Sequence, residues 1–477
     1  VNPERVREKP LSEAHARGIR VVVDFVPNHT SDRHLWFAKS RSLRDNSRRD
    51  WYVWADPKPD GTAEGAPPNN WITYWGDSAW EWEEATGQYY LHSFMAQMPD
   101  LNWRNLEVED AMLGVARFWL GRGVDGFRVD SAQQIMKDPL LRDNPPNPNA
   151  GKSAYKYLGP YDTQLHLHDK GHEDVHKVYR RFRKLLDEYG ERDGRGRGAI
   201  GEIHVYDRPD WASHWSGYYG ADLDEFHLPF NLTLVGRLWE AAGFRQAIEE
   251  MEAMTPPGAW PNWVLGNHDE PRVASRIGRE QARAAMMLLL TLRGTPTIYY
   301  GDEIGMQNVP PGPPEKVRDP FEKDLPGMGL GRDPERSPMQ WSAEPNAGFC
   351  PEGVEPWLPV ASDYREVNVA VQAEAPYSML SLTRRLLALR RKLLALHTGS
   401  YEPVQEGVPE DCLAYLRRHE EGSSCLVALN FSGEERELRL PDADKGRILV
   451  STLLDREGAA GLDLFHLRAN EGCVVEF

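Results

Sequence analysis

The chain has no apolar run approaching the roughly 18–20 residues that a membrane-spanning helix requires, so no transmembrane helix is expected within it. Cysteine is scarce: four residues (Cys350, Cys412, Cys425 and Cys473) are scattered with no CxxC pair. Neither a zinc site nor a disulfide framework is therefore expected, and a reducing cytoplasm is the expected compartment. Basic excess is missing as well, since 56 Lys plus Arg stand against 73 Asp plus Glu, a net charge of −17. That balance repels nucleic acid and anionic lipid and suits an enzyme of small neutral substrates. The opening VNPERVREKPLSEAHARGIR is a charged, helix-like run and not a signal peptide. Internal repeats and low-complexity tracts are also lacking. Aromatics, in contrast, are plentiful, with 16 Trp and 18 Tyr; packing accounts for most of them, and exposed aromatic faces are platforms for sugar rings.

At 477 residues the chain is too long for one ordinary core, so two or three domains are expected. Residues 4–18 read as a helix, and 19–26 as a buried parallel strand ending at Asp24, Asn28 and His29. The segment 31–104 is rich in Trp, Pro, Gly and Asp with little helical periodicity, the pattern of a long functional insertion with a few short strands. Further helices are expected near 107–121, 172–189, 239–253, 278–292 and 377–397. Strands are expected near 123–129, 198–203, 222–228, 262–267 and 295–300, with Pro-rich excursions at 138–170 and 301–375. Such alternation predicts an α/β parallel sheet with crossover helices, the layout of a (β/α)8 TIM barrel. From 400 onward, short strands separated by turns predict an antiparallel β-sandwich. The expected domains are thus a barrel (1–30 and 105–398), an inserted domain (31–104) and a C-terminal β domain (399–477).

Three segments, GFRVD (126–130), GEI (201–203) and NHD (267–269), each place a carboxylate at the end of an apolar run. In a barrel, catalytic groups come from the C-terminal ends of different strands, so Asp130, Glu202 and Asp269 are candidates for one active site. Arg128 lies two residues before Asp130, on the same strand face. A neighbouring guanidinium lowers a carboxylate pKa, so Asp130 is expected to be ionised, as a nucleophile must be; a barrel-interior ion pair is the plain alternative. Glu202 has few obvious cationic neighbours, so desolvation is expected to raise its pKa as an acid/base catalyst needs; a strand-end carboxylate of purely structural use fits equally. Asp269, beside His268 and followed by Arg272 and Arg276, could steady positive charge on a substrate; a metal-ligand pair or a buried salt bridge is the alternative. Asp24, Asn28 and His29 fit sugar hydroxyls or a buried polar network. Two differently tuned carboxylates and an electrostatic helper are what glycoside hydrolysis through an oxocarbenium-like transition state requires.

DFVPNH (24–29), GFRVDSAQQI (126–135), GEIH (201–204) and NHD (267–269) resemble, in order, four signature regions of the alpha-amylase superfamily, glycoside hydrolase family 13. MPDLNW (98–103), GTPTIYYGDEIGM (294–306) and GRDPERSPMQW (331–341) resemble further motifs of its alpha-glucosidase and oligo-1,6-glucosidase branch. The resemblance implies a retaining exo-hydrolase with a barrel, a domain B and a C-terminal β-domain. It implies Asp130 as nucleophile, Glu202 as acid/base and Asp269 as transition-state stabiliser, with the Asp130 and Glu202 carboxyls about 5–5.5 Å apart. Asp24, His29, Arg128, His268 and Arg332 become substrate-binding residues, Arg332 gripping the terminal glucose.

The family's first two barrel strands would precede Val1, together with an aspartate partner for Arg332 and any calcium-binding loop. No cofactor and no metal ligand is therefore expected within the chain, and an inactive remnant is one alternative. Ser131, after the nucleophile, leans towards α-1,4 over α-1,6 linkages. The leading expectation is release of terminal glucose from maltose and short malto-oligosaccharides. Oligo-1,6-glucosidase, a glucosyl transferase or isomerase of the trehalose or isomaltulose type, and a non-enzymatic transporter heavy chain are the alternatives. The expected partner is a small α-glucoside or oligosaccharide, with no nucleic acid and no membrane; monomer and homo-oligomer stay equally open.

Overall fold

A computed structural model describes residues 8–60, 62, 64–151, 159–310, 312–422, 424–439 and 445–477. Compactness divides the chain into two units, Val1–Phe230 with Met254–Trp260, and Asn231–Ala253 with Pro261–Phe477. This division falls inside the 105–398 segment expected to form the barrel.

The strands of the first unit are, in chain order, β1 (Val22–Phe25), β2 (Trp54–Ala55), β3 (Trp80–Glu83), β4 (Gln88–Leu91), β5 (Gly126–Val129), β6 (Gly198–Gly201) and β7 (Leu228–Pro229). Strands β1, β5, β6 and β7 form a parallel sheet in that order. Two glycines make the close pairing possible. A Cβ on Gly126 would come within 2.3 Å of the Gly198 carbonyl oxygen, and one on Gly201 within 2.9 Å of the Phe226 ring. Side chains alternate across the sheet. On one face Phe25, Phe127 and Phe182 of the helix Val175–Asp193 pack together with ring centroids 5.6–5.7 Å apart. The other face carries Asp24 and Arg128, which are register partners. Strands β2, β4 and β3 make a small antiparallel sheet within 31–104, over a core of Trp71, Ala79, Trp80, Tyr89 and Leu91.

The strand expected near 222–228 is reduced to Leu228–Pro229. The preceding residues turn instead: Gly220 and Leu223 take φ of 82° and 55°, and the Glu225 and Phe226 N–H groups donate back to Tyr219 and Tyr218. Residues 4–7 of the expected first helix and 152–158 of the expected Pro/Asn-rich loop lie outside the described residues.

In the second unit β8 (Asn262–Val264) and β9 (Thr295–Thr297) pair in parallel, joined by the helix Val273–Thr291. That helix starts five residues earlier than expected and kinks at Gly278, whose φ is 81°. Arg390 caps its C-terminal end, donating to the Leu290 and Leu292 carbonyls at 2.8 and 2.9 Å. The helix expected over 377–397 breaks at Leu393, which is extended (φ −99°, ψ 115°) and separates Met379–Lys392 from Leu394–His397.

The C-terminal strands are β10 (Glu402–Val404), β11 (Cys412–Arg417), β12 (Cys425–Asn430), β13 (Arg436–Leu438), β14 (Lys445–Ser451), β15 (Gly458–Gly461), β16 (Phe465–Leu467) and β17 (Gly472–Glu476). Six form an antiparallel sheet in the order β10-β11-β12-β17-β14-β15, and β13 pairs with β16. Residues of both sheets, among them Leu426, Leu438, Phe465 and Val475, share one buried apolar core. No helix among the described residues is long and apolar enough to cross a membrane.

Candidate active site

Register decides where the first two carboxylates stand. Strand β5 pairs with β6 through Arg128↔Ile200 and Val129↔Gly201, so Asp130 and Glu202 are the next residues out on neighbouring strands. Backbone bonding continues past the strand ends, with Asp130 N–H donating to the Phe25 carbonyl and Glu202 N–H to the Val129 carbonyl, both at 2.9 Å. Adjacent parallel strands lie about 4.8 Å apart, so the two side chains leave the sheet side by side. Arg128, on the same face, bridges them. Its Nη1 reaches Asp130 Oδ1 at 2.6 Å and its Nη2 reaches Glu202 Oε2 at 2.9 Å, while Asp24 Oδ1 lies 3.5 Å from Nη1. Asp24, Arg128, Asp130 and Glu202 are thus brought together at one end of the sheet. Glu202 is almost fully covered, whereas the Asp24 side chain is 65% exposed.

The residue after Asp130 adds a further contact to Glu202. Ser131 takes the left-handed conformation (φ 43°, ψ 48°), a strained setting for a non-glycine residue. The turn aims its N–H at Glu202 Oε2, 3.0 Å away. On the other side His204 Nε2 stands 3.5 Å from Glu202 Oε1.

These contacts reverse both electrostatic expectations. Burial pushes the Asp130 carboxyl up, the Glu202 charge adds to this, and Arg128 only partly offsets them, leaving it at about 6. Burial would push Glu202 up too, but the His204 hydrogen bond, Arg128 and the Ser131 N–H outweigh it and hold Glu202 below the ordinary carboxylate range. The expectation of an isolated Glu202 failed because its cation, Arg128, comes from the neighbouring strand.

Asn28 Nδ2 lies 3.5 Å from His29 Nδ1, but the two side chains have different surroundings. Asn28 turns into a buried network in which its Nδ2 donates to Asp100 Oδ1 at 2.9 Å and its Oδ1 accepts from Lys137 Nζ at 2.8 Å. Lys137 also pairs with Asp100 at 2.6 Å. His29 packs edge-on against Phe94, centroids 5.3 Å apart, and burial lowers its pKa, so the ring is held neutral.

In the second unit, Asp269 follows β8 at the end of an Asx turn, its N–H donating to Asn267 Oδ1 at 3.0 Å. Its Oδ1 receives Arg332 Nη1 at 2.9 Å and Arg336 Nη2 at 2.8 Å, and His268 Nε2 lies 3.2 Å from Oδ2. Asp269, His268 and Arg332 are therefore brought together as well. Within the chain Arg332 is also held by Asp319, through Nη2–Oδ1 at 2.7 Å.

Sequence reasoning passed over Ser131's backbone, His204, Lys137, Asp319 and Arg336. Ser131, His204 and Arg336 carried a signal, standing inside the family-like motifs; Lys137 and Asp319 carried none. Among the described residues no group of three or more His, Cys, Asp or Glu side chains is placed to hold a metal ion.

With this geometry in place, comparison with known proteins is direct. The alpha amylase catalytic-domain model matches residues 7–399. A probable alpha-glucosidase of Rhizobium meliloti (strain 1021) is 37% identical over 460 residues, covering 94% of this chain and 80% of that protein. The human amino acid transporter heavy chain SLC3A1 is 35% identical over 482 residues, covering 98% of this chain and 67% of the relative. Among solved structures, the alpha-glucosyl transfer enzyme XgtA matches with a TM-score of 0.88 at 34% identity, covering 98% of this chain and 85% of that one. The chain belongs to the alpha-amylase family, whose fold class is the expected (β/α)8 barrel with a C-terminal β domain. It is a glycoside hydrolase.

Proposed function

We propose that the protein is a retaining, exo-acting α-glucosidase that releases terminal α-1,4-linked glucose from maltose and short malto-oligosaccharides. Asp130 is the nucleophile, Glu202 the acid/base and Asp269 the stabiliser of the cationic transition state. Arg128, His29, Asp24, His268 and Arg332 bind the terminal sugar. The observation that carries this reading is the Arg128 bridge between two carboxylates on adjacent strand ends, because direct attack by one carboxylate needs the pair close together.

In the first step an Asp130 oxygen attacks the anomeric carbon while the bond to the leaving oxygen breaks and Glu202 gives that oxygen its proton. In the second, Glu202 takes a proton from water, the water oxygen attacks the same carbon, and Asp130 is released. The unliganded preference, with Asp130 high and Glu202 low, is opposite to what the first step needs. Substrate reverses it: the glycosidic oxygen gives a protonated Glu202 an acceptor, and positive charge growing on the ring favours an ionised Asp130. Ser131, the small hydroxyl residue that follows the nucleophile, supports the α-1,4 preference.

XgtA is named for transfer, and hydrolysis and transfer share the covalent intermediate, differing only in the acceptor. The transporter heavy-chain likeness is outweighed by the three carboxylates, all present with charged partners. The test is incubation of the purified chain with maltose, isomaltose, sucrose and trehalose, with product analysis by chromatography. Maltose is expected to be cut at least about tenfold more efficiently than isomaltose, on the order of 1.4 kcal/mol in transition-state binding. Cleavage of isomaltose without release of glucose from maltose would overturn the assignment.

A further inference from the structure

We propose that Asp319 is a positioning residue for catalysis, setting the plane and reach of the Arg332 guanidinium; this deepens the α-glucosidase reading and rests on it. Asp319 belongs to no quoted motif and stands 13 residues before Arg332, in the turn-rich excursion after β9. Its side chain is completely buried. A buried carboxylate is costly unless it is paired and hydrogen-bonded, so its partners show its use. Asp319 occupies the position just before the short helix Pro320–Asp324, where an aspartate ordinarily caps the helix, yet it makes no side-chain capping bond.

The carboxylate turns instead to Arg332. Oδ1 accepts from Nη2 at 2.7 Å and Nε at 3.2 Å, and Oδ2 accepts from Nε at 3.1 Å and from the Arg332 backbone N–H at 2.8 Å. Phe321 covers the guanidinium face, 4.8 Å from the ring centroid. The next residue returns the clasp: Asp333 Oδ2 accepts the N–H groups of Arg318 and Asp319 at 2.6 and 3.3 Å. Backbone and side chain of Arg332 are therefore both tied to the 318–319 segment.

A fork-to-fork arginine–carboxylate pair fixes a plane as well as a distance. With Nε and Nη2 engaged by Asp319, Nη1 is the nitrogen that meets Asp269 Oδ1. Arg336 holds Asp269 from a second direction and also bonds the His268 carbonyl at 2.8 Å. The Arg332–Asp269 pair is thus oriented before any sugar arrives, which is the form in which binding groups favour a transition state. Asp319 touches no substrate in this scheme; it acts through Arg332.

The test is a double-mutant cycle in the full chain, using Asp319→Asn, Arg332→Ala and the double variant, with kcat and KM measured on whichever α-glucoside the wild type turns over fastest. That choice keeps a wrong substrate assignment distinct from a wrong role for Asp319. Asp319→Asn is expected to lower kcat/KM by about 100-fold in the wild-type background. In the Arg332→Ala background it is expected to change kcat/KM by less than about twofold, because the pair acts as a unit. A carboxylate that merely supports the fold would cost activity equally in both backgrounds, and that result would overturn the proposal. Arg332→Lys keeps the charge but not the fork, and covers the case in which Asp319→Asn fails to fold. It is expected to fall within about threefold of Arg332→Ala, since lysine is a point charge where a planar fork is needed. Wild-type kcat/KM in Arg332→Lys would overturn the proposal.

Discussion

Asp130→Asn is expected to lower kcat/KM on maltose by about 10⁴-fold or more, the loss seen when a covalent nucleophile is removed from an otherwise intact site. Asparagine keeps the size of the side chain and can still accept from Arg128, so binding of glucose should persist. Stability should move the other way. The folded-state value of about 6 lies above the ordinary 3.8, so between those values the native chain holds a proton that the unfolded chain has released. Rising pH therefore removes stability across that window, and the full penalty is present above it. The variant escapes it, so at pH 7 it is expected to unfold at the wild-type temperature or higher, with a gain of at most about 3 kcal/mol. Initial rates and thermal unfolding at pH 5 and 7 check both halves. Full activity in the variant would remove Asp130 from the mechanism.

The second large effect belongs to Arg128, whose guanidinium is shared by Asp130 and Glu202. Arg128→Met leaves two carboxylates next to each other in a buried site without their common cation. Removing one partner of such an arrangement costs about 3–5 kcal/mol, and the activity loss is expected to be on the order of 10³-fold. The pH dependence carries the sign. Burial and Glu202 raise Asp130 while Arg128 opposes them, so without Arg128 the Asp130 value moves further up. The acid limb of kcat/KM, set by deprotonation of the nucleophile, then shifts to higher pH. Without Arg128 the native Asp130 carboxyl holds its proton still more tightly than the unfolded one, so the variant's stability deficit grows as pH rises and narrows at pH 5. Denaturant unfolding at pH 5 and 8, with a pH–rate profile, checks this. An equal deficit at both pH values would contradict the shared-cation account.

How much of this was legible in the chain follows from what a sequence encodes. Asp130, Glu202 and Asp269 could be read because each ends an apolar run, and strand-end position is a local property. The direction of the Glu202 shift could not, because it depends on which side chain of the neighbouring strand stands opposite. The register Arg128↔Ile200 is a tertiary fact. Asp319 was invisible for a related reason: its partner lies 13 residues away across turns with no periodicity, and nothing local marks it as buried. Lys137 illustrates the limit for cations, since a lysine bridging Asn28 and Asp100 reads in sequence like any surface lysine. The strand expected near 222–228 failed because the left-handed turn at Leu223 overrides the local apolar pattern. The strand-end positions proposed to carry the chemistry were local and readable; their tuning came from contacts between elements.

The central claim is covalent attack by Asp130, and trapping the intermediate tests it most directly. A ring-fluorinated α-glucosyl fluoride slows both steps, yet its good leaving group keeps the first faster than the second, so a glucosyl-enzyme accumulates. Proteolysis and peptide mass mapping should then find one fluoroglucosyl adduct, on the peptide that contains Asp130 and on that side chain. An adduct on Glu202 or Asp269, or turnover of the reagent with inverted product and no adduct, would contradict the account.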